Sequence, residues 1–174
     1  DSKNHQAQGN RGQGSVHGVW SYQGSKPLFY EGRLYAAMGD TLLCLDVGTE
    51  KVLWKHQFRP PKAAKGNKQK PKEKDEEEEL LDASVTPPAL VNHKVFVGTG
   101  YGDVVCLTAA SGEPLWKANV GSPIAFQPAV AQGRVYVSTE SGGLYCLETG
   151  DPNDDGWLMW GANAAHTGAA TSRK

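Results

Sequence analysis

"LYCLETG", residues 144–150, is the third writing of one phrase: "LLCLDVGT" occupies 42–49 and "VVCLTAASG" occupies 104–112. All three cysteines of the chain, Cys44, Cys106 and Cys146, sit inside it. Three cysteines in one repeated frame point to architecture, where three in unrelated places would point to chemistry. The offset from Cys106 to Cys146 is 40 residues, and it also carries Pro88 to Pro128, Lys94 to Arg134 and Gly102 to Gly142. It lays "NHKVFVGT" (92–99) on "QGRVYVST" (132–139). The first copy, "EGRLYAAM" (31–38), lies 61 residues upstream of the second, its surplus being one insertion between Trp54 and Pro87. A period near 40 made of short β segments signals a propeller, and an internal repeat outranks local propensity.

Each copy reads as four strands. In the second they fall at about 87–91, 94–99, 103–108 and 113–117, separated by Asn92-His93, Gly100 to Gly102 and Ser111-Gly112. The middle strands are almost continuously apolar, the pattern of sheets covered on both faces. The expected fold is therefore all-β: a partial propeller ring of three four-stranded antiparallel blades. The expected division is an arm or outer strand of a preceding blade at 1–24, blades at 25–58, 84–120 and 121–174, and a charged insertion at 59–83. Equivalent cysteines in successive blades stand apart by sheet spacings of about 10 Å, beyond the roughly 7 Å limit for a disulfide. All three are expected to be free, buried and equivalent.

Composition narrows the function classes. With 18 basic and 19 acidic residues the formal charge is −1, which gives no electrostatic case for nucleic acid. No apolar run is long enough to span a membrane. The chain opens on Asp1, with neither an initiator Met nor a leader, and so reads as a processed product or a piece of a longer chain. The five histidines show no metal-binding spacing.

The phrase "GRVYVSTESGGLYCLETG" and the ending "TAASGEPLWK" resemble the repeats of pyrroloquinoline-quinone-like (quinoprotein-type) β-propellers. In that family a Thr-Gly pair and a Trp form a girdle that ties neighbouring blades. By match the resemblance assigns this role to Thr49 and Trp54, and to Ser111, Gly112 and Trp116, with the third Trp displaced to Trp157 or Trp160. Glu50 departs from the family's Gly, and Thr108 from its Asp. The dehydrogenases of the superfamily also use a ring of adjacent disulfide-bonded cysteines, an Asp base, and a Glu/Asn pair holding calcium beside the quinone. No Cys-Cys pair occurs here. The resemblance therefore implies a non-catalytic binding or assembly scaffold, with no catalytic or quinone-binding residue assigned. The alternative is a subunit of a quinone-dependent dehydrogenase whose cofactor site lies in other blades.

Toward the C-terminus, "GWLMWGANAAHTG" resembles a Trp-rich stretch bordering such domains in secreted bacterial proteins, which implies an extracytoplasmic location and a strand that closes the last blade or the ring. Just before it, Asp151, Asn153, Asp155 and Gly156 spell the opening of a calcium loop. The twelfth position, which should be acidic, is Ala162, so half the ligand set is missing; a plain polar turn with no cofactor is the expectation, and calcium is the alternative. The insertion holds seven basic and seven acidic residues in separate blocks, the composition of a solvated loop. Three blades also leave two apolar faces uncovered, since rings close with about four to eight. Further blades of the same propeller, another protein, or a second copy of the chain must cover them.

Overall fold

Three two-residue turns, Glu31-Gly32, Asn92-His93 and Gln132-Gly133, open the three sheets of the computed structural model, all six residues with positive φ. Paired positive φ values define the type I′ turn, whose twist matches that of the flanking strands. The structure describes residues 27–58 and 84–168, so the expected arm and the charged insertion lie outside the described residues. Blade 1 comprises β1 (Leu28–Tyr30), β2 (Arg33–Met38), β3 (Thr41–Asp46) and β4 (Lys51–Gln57). Blade 2 comprises β5 (Ala89–Val91), β6 (Lys94–Gly98), β7 (Asp103–Thr108) and β8 (Pro114–Asn119). Blade 3 has three strands among the described residues, β9 (Ala129–Ala131), β10 (Arg134–Ser138) and β11 (Leu144–Glu148). Strands pair antiparallel in chain order, and the described residues contain no helix. The protein is an all-β propeller arc.

Register turns the sequence repeat into a spatial one. Across blade 1 a row runs Leu28, Tyr35, Cys44, Trp54; across blade 2 it runs Ala89, Phe96, Cys106, Trp116. Both rows are followed by a bulge, between Cys44 and Leu45 and between Cys106 and Leu107. Blade 3 repeats the row as Ala129, Tyr136, Cys146 and stops. The later hairpins are also copies: Thr99 Oγ1 accepts from Asp103 N at 3.0 Å, and Thr139 Oγ1 from Gly143 N at 3.1 Å.

Burial separates the blades. In β5, β6 and β7 nearly every residue is buried, whereas β2, β3 and β10 alternate. Only the central blade is covered on both faces, so the apolar runs in the outer two anticipate neighbours that the arc does not supply.

The cysteines are free, and Cys44 and Cys106 are wholly buried, but Cys146 is exposed, against expectation. The cause is the direction of the row. The row of blade 1 faces blade 2, and that of blade 2 faces the loop at Asp154 in blade 3; the row of blade 3 faces no following blade. Among the described residues no outer strand covers Cys146 either. In the Trp-rich segment, Trp157 forms an isolated bridge with Val130 on the side of β9 away from β10.

Candidate functional site

Blades 1 and 2 are joined through one carbonyl. Trp54 Nε1 donates to Ala109 O at 3.1 Å, and Tyr35 Oη donates to the same oxygen at 3.2 Å. The two rings meet at 6.0 Å between centroids, inclined by 56°. Burial, with the nearby Cys44 sulfur adding to it, pushes the Tyr35 hydroxyl up to about 12, so it stays a donor. The indole lies on Gly112, where a β-carbon would sit 2.4 Å from Trp54 Cε3. Glycine is required there twice over, since its φ of 71° is also in the left-handed region. Ser111, beside it, accepts from Glu113 N at 3.4 Å. Blade 2's Trp116 packs edge-on to Phe96 at 6.0 Å, but Gly150, the following glycine, has nothing within 4 Å of its β position. The two inter-blade contacts are therefore built differently.

Thr49 turns the chain rather than docking an indole: its N and Oγ1 both donate to Asp46 Oδ1, at 2.7 and 2.8 Å. These bonds, the hydroxyl's first, hold the Asp46 carboxyl below its ordinary range. Glu50, the departure from glycine, adopts φ 56°, the left-handed backbone that Gly112 and Gly150 occupy in their copies. A non-glycine residue there costs about 1–2 kcal/mol, against about 0.4–1 kcal/mol of added unfolded-state freedom for glycine. Glu50→Gly is expected to stabilise the protein by up to about 1 kcal/mol. A raised denaturant midpoint at unchanged slope would show it.

Blades 2 and 3 are joined by charge. Lys94 Nζ donates to Asp151 Oδ2 at 2.8 Å and to Asp154 Oδ1 and Oδ2 at 2.9 and 3.1 Å. Asn92 Nδ2 donates to both carboxylates, at 2.9 Å each. Asp154 is fully buried. Of the calcium-loop residues, Asp151 and Asn153 come together, with Asp151 Oδ1 accepting from Asn153 N and Nδ2 at 3.0 Å each. Asp155 turns away and accepts from Gln132 N at 3.1 Å. Among the described residues no three His, Cys, Asp or Glu side chains gather as a metal site. The spacing of the loop did not disclose Lys94, Asn92 or Asp154. One signal did exist, a basic residue heading the second strand of every copy: Arg33, Lys94 and Arg134.

Burial alone would lower the Lys94 pKa, but its hydrogen bonds and charges with Asp151 and Asp154 outweigh that and raise it. The Lys94 hydrogen bond, then the Asn153 amide, lowers Asp151 to about 2. A carboxyl depressed on folding contributes stability that is complete above its unfolded pKa of about 3.9 and is lost as pH falls through the folded value. The denaturant midpoint is therefore expected to fall between pH 4 and about 2. Lys94→Met should flatten the part due to Asp151.

The Trp-rich segment lies against the inner strands. Trp157 is buried, and Trp160 packs edge-on to His166 at 5.6 Å. With Leu28, Phe29, Pro88 and Gln127 they border a cleft of about 460 Å³. Trp157 Nε1 and Gln127 Oε1 are buried beside it without hydrogen-bond partners among the described residues. Phe29 and Trp160 of this lining are exposed, and so are Leu158 and Met159, which precede Trp160 in the chain.

Three comparisons bear on identity. The quinohemoprotein alcohol dehydrogenase ADH IIB of Pseudomonas putida is 27% identical over 142 residues, 77% of this chain and 19% of the enzyme. The chain thus spans about a fifth of the length of this curated relative. BamB of Moraxella catarrhalis superposes with a TM-score of 0.52 at 19% identity, over 72% of this chain and 37% of that one. The quinohemoprotein alcohol dehydrogenase of Comamonas testosteroni gives 0.53 at 18% identity, over 76% and 20%. At these identities the two structures establish the propeller fold alone. Residues 39–173, most of the chain, match the family described as outer membrane protein assembly factor BamB, and with its quinoprotein-type propeller repeats the chain belongs to that family.

Proposed function

We propose that this chain is part of a bacterial propeller that acts outside the cytoplasm as a non-catalytic scaffold for binding or assembling other proteins. The supporting observation is how the side chains are used. The ionic cluster of Lys94 with Asp151 and Asp154 and the Trp54 girdle tie blade to blade, and Lys117 ties β8 to Asp103 of β7 at 3.1 Å. The exposed large side chains at the cleft are aromatic, Phe29 and Trp160, and Leu158 and Met159 next to Trp160 in the chain are exposed too, a composition that suits a protein-binding surface. Among the described residues no helix is long and apolar enough to cross a membrane. The family's description as an assembly factor agrees with a scaffold role. The similarity to a quinohemoprotein alcohol dehydrogenase favours a second reading, in which the same blades belong to a dehydrogenase subunit.

Site-specific photo-crosslinking separates the two. A photoreactive phenylalanine at position 160 of the complete gene product, expressed in its host, should give discrete cross-linked proteins. The same group at exposed Lys55 should not. Alcohol-dependent dye reduction by the purified product, after loading with the quinone and calcium, would overturn the scaffold reading.

A further inference from the structure

We propose that the cleft bordered by Gln127, Trp157 and Trp160 binds a neutral, apolar stretch of a partner polypeptide, and that Trp157 Nε1 and Gln127 Oε1 together hold one of its main-chain amides. The inference rests on the scaffold reading and names the chemistry of what the scaffold holds.

Two unpaired atoms carry this. Gln127 Nε2 donates to Pro88 O at 2.7 Å. A carbonyl only accepts, so that bond fixes the nitrogen on Pro88 and leaves Oε1 as a free acceptor. Trp157 is held by its main chain, whose N–H and C=O both bond to Val130, and its indole Nε1 can only donate. Both Oε1 and Nε1 are buried, and neither has a hydrogen-bond partner among the described residues. A buried polar atom left unpaired keeps its full desolvation penalty, which an incoming partner removes. One peptide unit matches the pair in number and kind: its C=O accepts from Trp157 and its N–H donates to Gln127. Among the described residues of the lining there is no Asp, Glu, Lys or Arg, so a charged ligand meets no counter-charge. Phe29, Pro88 and Trp160 supply apolar walls for the flanking side chains. A saccharide suits the site less well, because it brings many hydroxyls. The Thr167 Oγ1 in the lining is already engaged by Asn163 Nδ2 at 2.7 Å.

Position in the fold keeps the cleft available. Leu28 lies in β1, Pro88 just before β5 and Gln127 just before β9, the inner strand of each blade. Inner strands surround the central channel of a propeller, and a blade added to the ring stacks on a blade face. The channel side therefore stays open whatever the blade count. At about 460 Å³ the cleft falls within the 300–1,000 Å³ of small-ligand sites, room for a short extended stretch and not for a folded domain. Entry needs a small movement, since Nε1 and Oε1 are covered while the cleft is empty. Residues 158–168 permit it. Their backbone bonds run within the loop: Ala162 N to Met159 O at 2.9 Å, His166 N to Asn163 O at 2.8 Å and Gly168 N to Gly161 O at 3.0 Å. The loop can tilt about Trp157 without breaking a bond of the sheets.

The test uses the complete gene product and a phage-displayed library of random heptapeptides. Selection is expected to yield uncharged, apolar sequences that bind the product in fluorescence polarisation. Each is then resynthesised with one main-chain nitrogen methylated at a time, which deletes a single donor. Methylation at one position is expected to weaken binding at least about tenfold, and elsewhere much less. Gln127→Met keeps the length of the side chain and loses the acceptor. On that variant the parent peptide should bind about tenfold less tightly, and the same methylation should cost no more than about twofold. The methyl scan alters the ligand alone, so it decides the matter even where the variant fails to fold. Peptides that bind both proteins alike, with no position sensitive to methylation, would sink the cleft as their seat. Recovery of no peptide, or of charged ones only, overturns the inference. Discrete cross-links from position 160 would then leave the scaffold reading standing, and their absence as well would remove it. Maltoheptaose binding that Gln127→Met abolishes would replace peptide by saccharide as the ligand class.

Discussion

Gly112→Ala is expected to destabilise the protein by about 3 kcal/mol, while Gly150→Ala costs about 1 kcal/mol. Both glycines follow the third strand of their repeat and both have positive φ, 71° and 84°. The backbone penalty for a β-carbon is therefore common to the two, roughly 1–2 kcal/mol less the gain from a stiffer unfolded chain. Their surroundings differ. A methyl group at Gly112 would lie 2.4 Å from the Trp54 ring, and at Gly150 it would meet nothing within 4 Å. The indole cannot simply slide away, because Trp54 Nε1 is fixed on Ala109 O and the ring lies against Tyr35. Relief requires separation of two blades, with overpacking of about 1–3 kcal/mol and loss of a hydrogen bond worth about 1 kcal/mol. Chemical denaturation followed by tryptophan fluorescence measures both variants. Equal losses would show that Trp54 does not seat on Gly112.

Lys94→Met is expected to cost about 3–5 kcal/mol, because it leaves a buried carboxylate without its cation. The Asp154 side chain is 1% exposed, and Lys94 contacts both of its oxygens. Removing one partner of a buried pair is far costlier than removing both, since the surviving charge keeps its desolvation penalty. The Lys94→Met, Asp154→Asn double variant should therefore recover part of the loss, and a double-mutant cycle on the denaturant midpoint gives the coupling. Additive losses would mean that the two side chains do not share a buried site. The same experiment separates the two kinds of blade contact. Trp54 and Gly112 interlock by shape, so their seam should be insensitive to salt. The seam at Lys94 is electrostatic, although its burial limits the screening.

The sequence by itself determined the blade. Cysteine spacing set the frame, turn residues set the hairpins, and the row from Tyr35 or Phe96 through cysteine to Trp followed once register was imposed on equal strands. Even the left-handed backbone at Glu50 was legible, as a departure from the glycine at that position in the repeat. Those features are local, or repeat at a fixed interval, and a periodic string carries them. What lies on the far side of a blade is not periodic. The tertiary structure alone placed Lys94 against Asp151 and Asp154, some 57 and 60 residues away, where spacing had suggested the start of a calcium loop. It alone carried Trp157 to the inner edge of β9, and it alone left Cys146 exposed while its two counterparts are buried. The physical reason is the same throughout. A repeat specifies each sheet and the side chains on its faces, but burial and ion pairing belong to two surfaces at once, and the second surface is chosen only when the sheets stack.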